Sequence, residues 1–123
     1  MNQRKQGPVK DFRDLEVWQM SHKVTLKIYR ITRTFPAEEK YSLVSQMRRA
    51  AYSVPANIVE GFRRRGRKEK AQFYSISQAS ADELLYFLIL SKDLGYIKDM
   101  SEEEKQLDSI VRMIAAMIKG LKK

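Results

Sequence analysis

The sequence predicts an all-α protein built as an antiparallel, up-and-down four-helix bundle. Three observations predict it. Apolar residues recur at three- and four-residue spacing along four segments. Only five glycines and three prolines interrupt the 123 residues. The turn clusters that would separate short strands are missing. Helices joined by short connections stack up and down. A chain of this length is one domain with a modest core, expected over residues 12–123 behind a flexible basic tail over 1–11.

The first helix is expected to start after Asp14 as N-cap and to run to about Thr34, ahead of the Phe35-Pro36 step. Its apolar residues fall into two stripes. Val17, Met20, Val24, Ile28, Ile31 and Phe35 form one, while Leu15, Trp18, His22, Leu26 and Tyr29 form another about 140° away. A small monomeric bundle needs one stripe per helix, so the second is expected to be an oligomer interface.

The second helix is expected from about Glu39 to Glu60, with Gly61 as its C-terminal cap and Pro55 kinking it near Ala51. Beside its core stripe of Leu43, Met47, Ala50, Val54 and Ile58 runs a polar strip of Gln46, Arg49, Ser53, Asn57 and Glu60. A third helix is expected from Arg67 to Leu94, with Phe73, Ile76, Ser80, Leu84, Phe87, Ser91 and Leu94 on one face and Gly95 closing it. It is apolar nearly all round between Leu84 and Leu90, which again favours an assembly of several chains. The fourth helix opens on Ser101 and Glu104, spaced as a capping box, and ends on Lys119, Lys122 and Lys123.

Charge narrows the function. The net charge is +9, and residues 1–36 and 61–70 each hold a surplus of five positive charges, the remainder summing to −1. A field of this sign draws polyanions. Within the second basic segment, Arg67, Lys68 and Lys70 occupy the first turn of a helix, where the dipole disfavours cations. A phosphate there would take both free backbone donors and guanidinium groups. The expected nucleic-acid-binding residues are therefore Arg63, Arg64, Arg65, Arg67, Lys68 and Lys70, with Lys23, Lys27 and Arg30 secondary.

Catalysis finds little support. His22 is the only histidine and has no carboxylate at helical spacing beside it. No nucleophile with a base, phosphate-binding glycine loop or set of metal ligands appears, so the chain is expected to be no enzyme, with no cofactor and no metal. Cysteine is absent, which excludes thiol chemistry and fits a cytoplasmic location. Residues 1–10 carry no signal-peptide core, and the longest apolar run is far shorter than the ~20 residues a membrane span needs. Gln46, Arg49, Ser53, Asn57, Glu60 and Glu83 are expected to form a structural polar network that fixes helix register or a subunit contact.

Phe12-Arg13-Asp14-Leu15-Glu16-Val17-Trp18-Gln19, Phe35-Pro36, the segment from Gln46 to Gly61 and Leu94-Gly95-Tyr96 together resemble the bacterial four-helix-bundle family called 23S rRNA-intervening-sequence proteins. The likeness spans residues 12 to about 118, and Arg48-Arg49-Ala50-Ala51 with Ser53, Pro55-Ala56-Asn57-Ile58 and Glu60-Gly61 match its most distinctive motif. The resemblance implies a bundle assembling as a homo-oligomeric ring, usually a pentamer. It also implies kinship with accessory proteins of diversity-generating retroelements, which bind nucleic acid and a partner reverse transcriptase. In this chain Ala79-Ser80 and Glu83 stand where the family often has Gly-Ser followed by Glu. The function expected is sequence-independent binding of RNA or DNA phosphates, without membrane association. The alternative is a structural or protein-interaction scaffold whose charge is incidental.

Overall fold

The computed structural model describes residues 8–122. Four α-helices form, and no strand among the described residues: α1 is Glu16–Thr32, α2 Leu43–Arg63, α3 Arg67–Asp93 and α4 Ser101–Gly120. Each helix packs on its neighbours in sequence and α1 also packs on α4, while α1 with α3 and α2 with α4 make no close approach. Thr25 meets Ala51, and Arg48, three residues earlier on α2, meets Thr32, so α1 and α2 run antiparallel. The sequential, antiparallel bundle follows from connections too short for anything else.

The core lies between all four helices. Ile28, Met47, Ile58, Leu84, Leu107, Ile110 and Ile114 are fully or almost fully buried. Burying each such side chain stabilises by about 1.5–3 kcal/mol, whereas an exposed pair such as Arg112 with Asp108 is screened by solvent and adds little. Packing therefore holds the bundle and surface charge is left free for other work.

Several helix ends differ from expectation. Asp14 does not cap α1. It ends a 3-10 turn, Phe12–Asp14, which Asp11 caps by accepting the Arg13 N–H at 2.9 Å, and α1 starts one residue later with no side-chain cap. Of the tail expected over 1–11, residues 1–7 lie outside the described residues, as does Lys123. Ala37–Glu39 form another 3-10 turn, so α2 starts at Leu43 rather than near Glu39. The expected capping box on α4 does not form, because Asp99 is the nearer acceptor and takes both the Ser101 N–H at 3.0 Å and its hydroxyl at 3.2 Å. Gly95 does close α3. At φ 84° it lets its own N–H reach the Lys92 carbonyl and the Tyr96 N–H reach that of Ser91.

Gly61 is not a cap either. It lies inside α2, and α2 continues to Arg63. A Cβ at Gly61 would stand 2.5 Å from Tyr74 Cε1, so glycine here is what lets the Tyr74 ring of α3 reach the core. With Tyr74 buried, the core face of α3 turns by about one residue from expectation. Tyr74, Ser77, Ala81, Leu84, Leu88 and Ser91 face inward, while Ile76 and Leu94 are exposed. The slim residue at the close approach is Ser77, whose hydroxyl donates to the Val54 carbonyl at 2.8 Å.

Pro55 sits within α2 without ending it. Its missing N–H frees the Ala51 carbonyl, and the Thr25 hydroxyl of α1 takes it at 3.0 Å, sharing its proton with the Ser21 carbonyl at 2.8 Å. A buried orphan acceptor is thereby avoided.

At the end where α2 begins, the Tyr96 hydroxyl donates to Glu39 Oε2 at 2.7 Å and the Ser42 hydroxyl donates to Oε1 at 2.7 Å. Tyr96 first, then Ser42, holds the Glu39 carboxyl below its ordinary range, and Glu39 raises the Tyr96 phenol in return. A carboxyl lowered on folding adds stability above its unfolded value, near 4, and loses it as pH falls through the folded value. Tyr96→Phe is thus expected to lower the melting temperature at neutral pH by an amount that shrinks below pH ~4. A gap that stays constant from pH 7 to pH 2 would show that the pair does not titrate as described.

Candidate nucleic-acid interface

The turn between α2 and α3 is three residues long, Arg64 to Gly66. It sets the basic segment at one end of the bundle. Arg63 is exposed, with its guanidinium 5.6 Å from the Phe12 ring centroid. Arg64 is half-buried, bonded to Glu60 at 2.9 Å and lying 4.6 Å from the Phe73 centroid. Arg65 and Lys68 are exposed, and neither side chain has a partner among the described residues. Arg67 is exposed too and opens α3, whose start at Gly66 has no side-chain cap.

Lys70 differs from its neighbours. Its ammonium donates to the Gly61 carbonyl at 3.1 Å and the Phe62 carbonyl at 2.8 Å. It therefore caps the end of α2, where the dipole favours a cation. Helix stability thus explains Lys70, contrary to the reading of it from α3 alone, since that sequence reading could not see the neighbouring helix end.

The secondary group is not brought to this end. Phe12 adjoins Arg63, so the base of α1 stands beside the corner, and Arg30 lies about 20 Å further along α1 at 1.5 Å per residue. Lys23 and Arg30 are exposed. Lys27 is ion-paired with Glu102 and the buried Glu103 of α4, Glu102 first and then Glu103 holding its ammonium above the usual lysine range. It ties α1 to α4, with its charge already balanced by two carboxylates.

Other cations join the corner instead. Gln78 of α3 donates to the Val111 carbonyl of α4 at 3.1 Å, fixing the level of the two helices. Arg67 and Lys119 both lie about 12–17 Å beyond that point, toward the same end. Lys119 and Lys122, both exposed, thus share the end with Arg63 to Lys68. Sequence reasoning assigned them only to the helix dipole. The antiparallel packing of α3 and α4 was the signal that could have placed them.

The polar strip of α2 forms a seam with α3. Arg49 bonds Glu83 at 3.2 Å and Gln46 at 3.3 Å, the Ser53 and Ser80 hydroxyls meet at 2.7 Å, and Asn57 donates to the Ser53 carbonyl at 2.8 Å. Glu60 stands apart with Arg64. Glu83 is held by Arg49 and Glu60 by Arg64, so Glu60 lies outside the network expected of it. The stripe of Leu15, Trp18, His22, Leu26 and Tyr29 is left uncovered, with Leu15 and Trp18 half-buried and the other three exposed. Among the described residues no three acidic, histidine or cysteine side chains stand together as a metal site, and no helix is long and apolar enough to cross a membrane.

With this geometry in view, comparison with protein families matches residues 13–120 to the 23S rRNA-intervening sequence proteins. The chain belongs to that family. A structure from Bacteroides thetaiotaomicron, described as a protein with unknown function from the S23 ribosomal protein family, is 24% identical and superimposes with a TM-score of 0.75. The match covers 84% of this chain and 98% of that one, and it supports the fold. No curated protein matches the sequence. In this family member, the motif from Gln46 to Gly61 supplies packing: the Pro55 carbonyl arrangement, the Arg49 seam and the Gly61 contact with Tyr74 all lie within it.

Proposed function

We propose that the chain binds RNA or DNA without sequence preference, through phosphates held at the basic end of the bundle, and that it acts by binding rather than by catalysis. The observation that carries this reading is the pair Arg65 and Lys68, exposed and without a partner among the described residues, on the turn and the uncapped first turn of α3. Cations of the fold that already have work, Lys27 and Lys70, are bonded. Arg65 and Lys68, with the exposed Lys119 and Lys122 at the same end, offer charge suited to a phosphate backbone.

A ring of identical subunits, as the family likeness implies, would repeat this end and strengthen each weak contact by multivalency. The uncovered strip of Tyr86 and Ile89 on α3, 57% and 42% exposed, offers an apolar surface where subunits would meet. In that setting the chain would serve in the cytoplasm as a nucleic-acid-binding accessory, with a reverse transcriptase as a fitting partner.

The test compares wild type with Arg65→Ala/Lys68→Ala in a binding assay at low salt. The double variant is expected to lose about tenfold in affinity for single-stranded and duplex probes of any sequence, with an unchanged melting temperature, because two phosphate contacts go and no internal bond does. Affinity unchanged in the double variant, or no binding by wild type, would overturn the reading in favour of a scaffold with incidental charge.

A further inference from the structure

Along α1 and the adjoining edge of α2 one face of the bundle is uncovered, and it is made largely of flat groups. Starting at the basic end, the Arg63 guanidinium lies over Phe12, and Phe12 meets Trp18 edge-on at 5.2 Å. Trp18 in turn stacks on the exposed His22, with centroids 5.0 Å apart and 13° between the planes. Two turns further along, the Arg48 guanidinium covers the Tyr29 ring at 4.6 Å. Tyr52, 49% exposed, stands one turn from Arg48 on α2. From Leu15 to Tyr29 the strip is about 20 Å long. Its outer border on α1 carries the exposed Glu16, Lys23 and Arg30 at seven-residue spacing, a net positive edge.

Core packing holds part of Phe12 and Trp18, which are half-buried, and Arg48 is hydrogen-bonded to the Thr32 hydroxyl and the Tyr29 carbonyl, while packing leaves His22, Tyr29 and Tyr52 exposed. A second copy of the chain would cover them. Yet two such faces brought together would set Arg48, Arg63, Lys23 and Arg30 against their own kind. In a ring this face would instead meet a different one, such as the Tyr86 and Ile89 strip, and the test below separates that outcome. The composition matches a different occupant. Aromatic rings and guanidinium planes give every unpaired base a surface to stack on, whatever its identity, and flanking cations follow the backbone. The strip is also continuous with the basic end through Arg63 and Phe12, so one ligand could engage both.

We infer that the α1/α2 face is a stacking surface for unpaired bases, and that the preferred ligand is single-stranded nucleic acid rather than a duplex. This rests on the reading of the basic end as a phosphate site. A duplex keeps its base faces stacked on each other and reaches only the phosphate site; a single strand reaches both.

Trp18 is the only tryptophan, so its emission reports directly on the strip. The experiment titrates wild type with an oligouridine of about ten nucleotides and with an RNA duplex of equal length, following Trp18 fluorescence and, separately, anisotropy of a labelled probe. The single strand is expected to bind at least tenfold more tightly and to quench Trp18, while the duplex binds with little quenching. Tyr29→Leu/Tyr52→Leu keeps apolar area and removes the rings. That variant should lose the single-strand preference and retain duplex binding. Equal affinities for the two probes, an undiminished preference in the double variant, or Trp18 emission that does not respond to the single strand would overturn the inference and leave the phosphate site standing. A sedimenting oligomer in which Trp18 is shielded from acrylamide would overturn it in favour of a subunit interface. Binding of neither probe would remove the phosphate site as well.

Discussion

Gly61→Ala is expected to destabilise the bundle by about 2 kcal/mol, even though alanine is the better helix former by about 1 kcal/mol. The added methyl would stand 2.5 Å from Cε1 and 2.7 Å from Cδ1 of Tyr74. Tyr74 is 4% exposed, and its rigid ring lies directly in the path of the methyl. Forcing a methyl into such packing costs typically 1–3 kcal/mol, and separating α2 from α3 also disturbs the Ser77 contact with the Val54 carbonyl. In denaturant unfolding the midpoint should fall with an unchanged slope. With Tyr74→Leu already in place the obstructing ring is gone, so the same glycine replacement should become neutral or mildly stabilising. An equal cost in both backgrounds would place the effect elsewhere than in this contact.

Thr25→Val should cost about 2 kcal/mol with Pro55 present and less than about 1 kcal/mol in a Pro55→Ala background. Valine has nearly the shape of threonine, so packing is preserved and the hydroxyl alone is lost. With Pro55 in α2 that loss leaves the Ala51 carbonyl without a donor at a position 1% exposed, and an unsatisfied buried acceptor costs ~1–3 kcal/mol. Alanine at residue 55 restores the N–H that a helix would offer to that carbonyl, and the threonine becomes dispensable. Chemical denaturation of the four proteins in this cycle gives the coupling. Additive effects would mean that Thr25 does not compensate for the proline.

Much of the fold was legible in the sequence because helical periodicity survives any tertiary context. The four helices, the core stripe of Leu43, Met47, Ala50, Val54 and Ile58, and the stop at Gly95 all follow from spacing and one glycine. What was not legible depends on a neighbour. Gly61 looked like a cap because glycine ends many helices, whereas its role is set by a tyrosine thirteen residues on. Asp99 displaced Ser101 and Glu104 at the start of α4 because a carboxylate two residues back outcompetes the box. The face of α3 turned because Tyr74 could enter beside Gly61.

The candidate site divides in the same way. Arg65 and Lys68 read correctly as exposed cations from sequence, since a short turn at a bundle end has nothing to cover them. Lys27 and Lys70 could not be judged from their own helices. One faces Glu102 and Glu103 across the bundle, and the other reaches back to the carbonyls that end α2. Lys119 and Lys122 joined the site only once antiparallel packing had set α4 against α3.

The measurement that bears most directly on phosphate binding at the basic end is the affinity of wild-type protein for a single-stranded RNA, followed from 50 to 200 mM salt. Three or four phosphate contacts on a single strand predict a straight log–log line of slope about −2 to −3, the same for unrelated sequences. An affinity that does not change with salt would contradict it.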